Sequence, residues 1–243
     1  MRIAPISDRV TAVLVGNLNP AIFHPAWFAL NKLVSKEDAA NAIVRVIHPE
    51  LSNFDVGELS IQVDKQRFAV ACPGRQHEML RDLIVGSFGN ILSHTPIQAM
   101  GINREVHFDT GDFAVRQAVG ETLAPKAPWG EWGDILETRS NDPHLAGGLL
   151  VMTMREVRDN KDKPGWVQAE VQPSALQPIR RSGILMTINN HYEVRSAENE
   201  GDVERLIQLL DSEWMTSINK SDFIVDQIQA LAERIKTDLG KRR

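Results

Sequence analysis

Leu59-Ser-Ile-Gln-Val-Asp-Lys-Gln-Arg-Phe-Ala-Val-Ala-Cys72 decides the fold class. Leu59, Ile61 and Val63 alternate with polar residues, and Phe68, Val70 and Cys72 do the same. Asp64-Lys-Gln66 lies between the two runs. A period of two puts one side of each run in a core and the other in water, so the stretch reads as a β-hairpin. A hairpin with one wetted face belongs to antiparallel sheet.

Outward from that hairpin, Thr11-Ala-Val-Leu-Val15 is a short apolar run closed by Gly16 and reads as a buried strand. The aromatic stretch 17–28 must bury Phe23, Trp27 and Phe28 against the body. Ser35 is expected to cap a helix, with Glu37 and Asp38 complementing its dipole. Ala39, Ile43, Val46 and Ile47 would form the buried stripe of that helix, with His48-Pro49 as its terminus. Beyond Gly74, Leu80, Leu83, Ile84, Phe88, Ile91 and Leu92 recur at helical spacing. Thr95-Pro96 ends that helix, and Ile97 to Asp109 returns as a strand. Residues 1–110 therefore order as β-α-β-β-α-β, the order of a ferredoxin-like split βαβ unit.

In residues 111–243 the pattern predicts a helix over Phe113 to Leu123 and a stiff aromatic loop, Pro128-Trp-Gly-Glu-Trp-Gly133. Strand-like segments follow near 134–139, 147–157, 166–172 and 183–194, forming a four-stranded meander with an exposed loop at Asp159 to Gly165. Asp202 to Leu239 is helical and amphipathic, as one helix or as two broken near Ser217 to Ser221. The expectation is a single α+β domain over 1–243, mainly antiparallel, with Arg195 to Gly201 as its one linker-like stretch.

Bulk composition narrows the function classes. A chain of 243 residues, 42% hydrophobic and 24% charged, can bury a core and is not disordered by composition. A formal charge of -5 makes nucleic acid an unlikely partner, and Arg180-Arg181 and Lys241-Arg242-Arg243 are the only tight basic clusters. Cys72 is the only cysteine, so packing rather than a disulfide must hold the fold. Met1 to Ser7 lacks the pattern of a secretory signal, and no run approaches the ~20 apolar residues of a membrane span, so the expected compartment is the cytoplasm, with no membrane partner.

No phosphate-binding loop or dinucleotide fingerprint is present. Gly86-Ser-Phe-Gly89 lacks the spacing and the strand-to-helix setting of a nucleophile elbow, and reads instead as small residues that let a helix approach a neighbour. Cys72 sits in an apolar alternation and reads as core. His24 and His94 flank breaks in the chain and read as capping or surface groups.

The sharpest chemical pattern lies on two strands. Asn103, Glu105, His107 and Asp109 alternate against Met100, Ile102, Val106 and Phe108; Thr187, Asn189, His191 and Glu193 alternate against Ile184, Met186, Ile188, Tyr192 and Val194. If the two rows met, His107, His191, Glu105 and Glu193 could hold a divalent metal. With Asp109 they could equally act as acid–base groups in a hydrolase. The competing reading is the wetted face of an ordinary sheet, where histidines and carboxylates fall in rows without catalytic reason. Arg104 interrupts the apolar row, so it needs either a carboxylate partner or an anionic ligand. Trp129 and Trp132 either plug the end of the sheet or form a binding surface.

The C-terminal apolar stripe, Val203, Leu206, Leu210, Trp214, Ile224, Ile228, Leu231, Ile235 and Leu239, must pack on the home sheet or on a partner chain. With every chemical signature absent, the leading expectation is a non-enzymatic binding or assembly protein without a cofactor. It would be a homo-oligomeric component of a bacterial multi-protein system, associating through the C-terminal helices. The alternative is the metal-dependent or acid–base hydrolase.

Overall fold

The computed structural model describes residues 2–73, 76–136, 147–160, 162–194 and 202–241. Its centre is a nine-stranded antiparallel sheet in the order β2-β3-β4-β5-β1-β6-β9-β8-β7. The strands are β1 (Pro5–Gly16), β2 (Ile43–His48), β3 (Leu51–Val56), β4 (Leu59–Asp64), β5 (Arg67–Pro73), β6 (Ile97–Asp109), β7 (Met152–Val157), β8 (Gly165–Pro173) and β9 (Gly183–Glu193). The hairpin that opened the sequence reading is β4–β5, paired Ile61 to Val70 and Val63 to Phe68. The long strands β1 and β6 pair along almost their whole length and tie the two halves of the sheet together.

Helices α1 (Pro25–Leu30), α3 (Glu78–Ile84), α4 (Phe113–Leu123) and α6 (Val203–Lys241) pack on one face of this sheet. Two apolar clusters lie beneath them. The larger joins β1 and β3–β5 to Phe28, Leu80, Phe88 and the first half of α6. The smaller joins β6, β8 and β9 to Val115, Val119 and the second half of α6. Helix α6 is one unbroken element of 39 residues, about 58 Å long. The π-helical turn Val85–Ile91 continues α3. A Cβ at Gly86 would sit 2.5 Å from Leu33 and one at Gly89 would sit 3.2 Å from Ile207, so both glycines do admit close neighbours.

Three expectations need correction. First, the helix capped by Ser35 is only α2 (Lys36–Ala40), although Ser35 Oγ does accept from the Asp38 amide at 2.9 Å. Ile43, Val46 and Ile47 belong to strand β2, and His48-Pro49 is a strand end and hairpin turn. Branching at Cβ suits the pleat and stiffens χ1 in a helix, so Ile43-Val44-Arg45-Val46-Ile47 pairs with β3 instead. The first half therefore runs β-α-β-β-β-β-α-β once its adjacent short helices count as one. Second, the loop at 128–133 is a 3-10 turn (Ala127–Trp129) followed by α5 (Gly130–Ile135). Third, Asp134 and Ile135 are helical and 137–139 lie outside the described residues, so among the described residues the meander has three strands, β7-β8-β9. The expected linker Arg195 to Gly201 and the end of the Lys241-Arg242-Arg243 cluster lie outside the described residues.

No helix among the described residues is long and apolar enough to cross a membrane.

Candidate functional site: the open face of the sheet

The strand registers place the polar rows side by side. Asn103 pairs with Asn189 and Glu105 with Thr187, so the rows of β6 and β9 share one face. That face lies opposite the two apolar clusters, because Val10, Ile102, Val106 and Ile188 occupy the intervening positions and point under the helices. Following the pairs outward gives a continuous row: Asp55, Ser60, Ala71, Thr11, Asn103, Asn189, Gln168 and Arg155. Seven of these eight residues are polar, and they lie on eight adjacent strands.

The histidines share this face without meeting. His107 pairs with Leu185, whereas His191 pairs with Gly101. They therefore lie six positions apart along β6, roughly 20 Å. Ligands of one ion must lie within a few ångströms of each other, so the expected four-residue metal cluster resolves into two separate pairs. Among the described residues no group of three or more His, Cys, Asp or Glu side chains could hold a metal.

Each pair has its own local structure. His191 Nε2 lies 3.1 Å from Glu193 Oε1, and its ring stacks on Trp166 with centroids 3.7 Å apart. The Arg155 guanidinium lies 4.8 Å from the Trp166 ring centre and donates to Gln168 Oε1. His107 Nε2 lies 3.4 Å from Glu105 Oε1, and its Nδ1 lies 2.8 Å from Ser174 Oγ. Asp109 caps the following turn by accepting from the Gly111 amide at 2.8 Å.

Glu105, His107 and Ser174 stand in a line with the composition of a nucleophilic triad, but its exposure is inverted. Ser174 is 1% exposed, while the Glu105 side chain is 47% exposed. Ser174 Oγ also accepts from the Leu176 amide at 3.1 Å. A serine nucleophile must reach substrate while its acid partner holds the imidazole from behind, and here the acid faces water. The line serves to fasten the 174–182 connection to β6.

The remaining candidates also have settled surroundings. Arg104 is gripped by Asp8 at 3.0 and 2.8 Å and by Asp222 at 2.8 Å. Burial opposes its charge, but the bonds and attraction to Asp8 and Asp222 outweigh that and hold the guanidinium above its ordinary pKa. Beside it lies Asn190, which is fully buried and donates to Ser221 Oγ at 3.0 Å. The Tyr192 hydroxyl lies 2.7 Å from Ser217 Oγ. These groups form a polar seam between the two apolar clusters, directly beneath α6. Asn190 interrupts the apolar row of β9 one strand away from Arg104, and that paired interruption is the signal in the sequence that marks the seam.

Burial pushes the Cys72 thiol up to about 11, so it is not a nucleophile at neutral pH. His24 caps α1, its Nδ1 accepting from the Trp27 amide at 3.2 Å. Trp129 and Trp132 do not plug the sheet: they are 61% and 55% exposed and meet edge to face at 5.2 Å. The inner stripe of α6, from Leu206 through Trp214 and Val225, packs on the home sheet, which occupies the surface expected to join a partner. Edge strands β2 and β7 carry exposed Ile43, Val44, Met154 and Val157.

Comparison with protein-family models finds no match to this chain, and comparison with curated proteins finds none either.

Proposed function

We propose that this chain is a non-enzymatic binding protein that presents the open face of its sheet to a protein partner, as a component of a cytoplasmic assembly. One observation carries the reading: a polar row runs across eight strands on the face opposite the helices. Wide polar surfaces with scattered Arg, Trp and His suit non-obligate recognition, where hydrogen bonds and a few anchors set specificity. The Trp129–Trp132 pair and the edge strands are secondary contact surfaces, and the partner is either another copy of the chain or a different protein.

Affinity purification of the native chain, followed by light scattering, tests this. A stable homo-oligomer or a stoichiometric partner is expected. Thr187→Trp on the open face should abolish it, whereas Gln208→Trp on the exposed side of α6 should not. A strict monomer without a partner contradicts the proposal, and so does an assembly that Thr187→Trp leaves intact.

A further inference from the structure

The open face has a trough at one end, and its charge differs from that of the whole chain. Ala69 and Ala71 on β5 form the floor, because their side chains are short, between Thr11 on one flank and Ser60 and Gln62 on the other. Arg9, Arg45 and Arg67 line it, Asp55 is the one carboxylate among its lining residues, and the volume is about 300 Å³. Three guanidinium groups against one carboxylate leave a local charge of +2 on a chain whose net charge is -5.

Arg45 already holds a carboxylate: it pairs with Asp55, donates to Asn53 at 3.3 Å, and its hydrogen bond pulls the Asp55 carboxyl below the ordinary range. Arg9 and Arg67 form no salt bridge among the described residues, although Arg9 also acts on Asp55 through space. Their positions decide what could bind. Arg9 pairs with Pro73 and Arg67 with Val15, so their backbones lie six positions apart along β5, roughly 20 Å. Two arginines anchored so far apart along the strands are better placed for separate anionic groups than for one phosphate or one small carboxylate. They can grip an extended chain laid along β5, whose side chains on one side recur about every 7 Å. Asn53, Gln62 and Thr11 would meet the polar backbone of such a chain between its charged ends.

Resting on the reading of the open face as a partner surface, we infer that this trough binds an extended acidic segment of the partner protein, with carboxylates seated at Arg9 and Arg67. A nucleic-acid strand suits it less well. On the same face Glu105 is the cross-strand neighbour of Arg9, and Glu170 and Glu193 lie farther out; together they would repel a continuing run of phosphates.

A short fluorescent peptide alternating glutamate with serine provides the probe, with anisotropy as the readout on the full chain. It should bind, weaken as salt is raised, and lose affinity by roughly tenfold or more in Arg9→Gln/Arg67→Gln. Arg9→Lys/Arg67→Lys should restore part of that loss, since charge returns without the bidentate fork. Equal binding of a glutamine–serine peptide, unchanged affinity in Arg9→Gln/Arg67→Gln, or tighter binding of a single-stranded oligonucleotide overturns the inference. If the peptide fails while the purified assembly survives in Arg9→Gln/Arg67→Gln, only this inference falls. If the native chain proves a strict monomer without a partner, the underlying reading falls with it.

Discussion

Arg104 and Asp8 form a buried charge pair between the two apolar clusters that hold α6 on the sheet. Both side chains are less than a tenth exposed. Removing the cation alone leaves an uncompensated carboxylate under α6, so Arg104→Met should destabilise the protein by about 3–5 kcal/mol in denaturant unfolding. Replacing both, as Arg104→Met with Asp8→Leu, should recover most of that loss, and a double variant no better than the single would contradict this account. Tyr192 gives a sharper pH test because it is the only tyrosine. Burial, the first cause of its shift, raises its hydroxyl to about 12. An unfolded tyrosine ionises near pH 10, so the unfolded state sheds its proton first and stability falls as pH rises from about 10 to about 12. The loss is roughly 2–3 kcal/mol in full. Tyr192→Phe should be less stable at neutral pH and should lose less stability than wild type across that interval, where the buried Cys72 thiol also contributes, and phenolate absorbance should locate the wild-type titration.

At the scale of elements, backbone approach and side-chain approach make different demands on glycine. A Cβ at Gly16 would lie 2.2 Å from the Pro96 carbonyl oxygen, at the irregular step where β1 leaves β6. At Gly86 the obstacle is only the end of the Leu33 side chain. Gly16→Ala should therefore cost roughly 1–3 kcal/mol, and Gly86→Ala clearly less, when midpoints of chemical unfolding are compared. The same elements show what was legible beforehand. The β4–β5 hairpin, β6, β9, α4 and the π-extended α3 are marked by strict alternation or helical spacing, which burial on one face imposes. Strand β2 was hidden because Ala39, Ile43 and Ile47 also fit a spacing of four, and its β-branched run was the better guide. Strand β3 was missed although Phe54 and Val56 alternate, since Ser52 and Asn53 diluted the pattern.

For the whole molecule, alternation revealed that His107 and His191 lie on the wetted side of their strands. It could not reveal their separation, because register along two strands is a tertiary fact. The polar row from Asp55 to Arg155 is likewise invisible in order of sequence: its members come from eight segments aligned only when the strands pair. The seam of Arg104, Asn190, Tyr192 and Ser217 also depends on where α6 crosses the sheet, and only its interruptions of apolar rows were legible. The first three lie under the helix and Ser217 on its inner side, whereas the row faces away from it. That separation of a structural polar set from an open one is what supports the proposal that the outer face serves recognition. Photoreactive side chains at Gln62 and Thr187 on the open face, and at Gln208 and Thr237 on exposed positions of α6, test that assignment most directly in living cells. The account predicts a discrete crosslinked partner from the first pair and none from the second; crosslinks from α6 alone, or none from the open face, would contradict it.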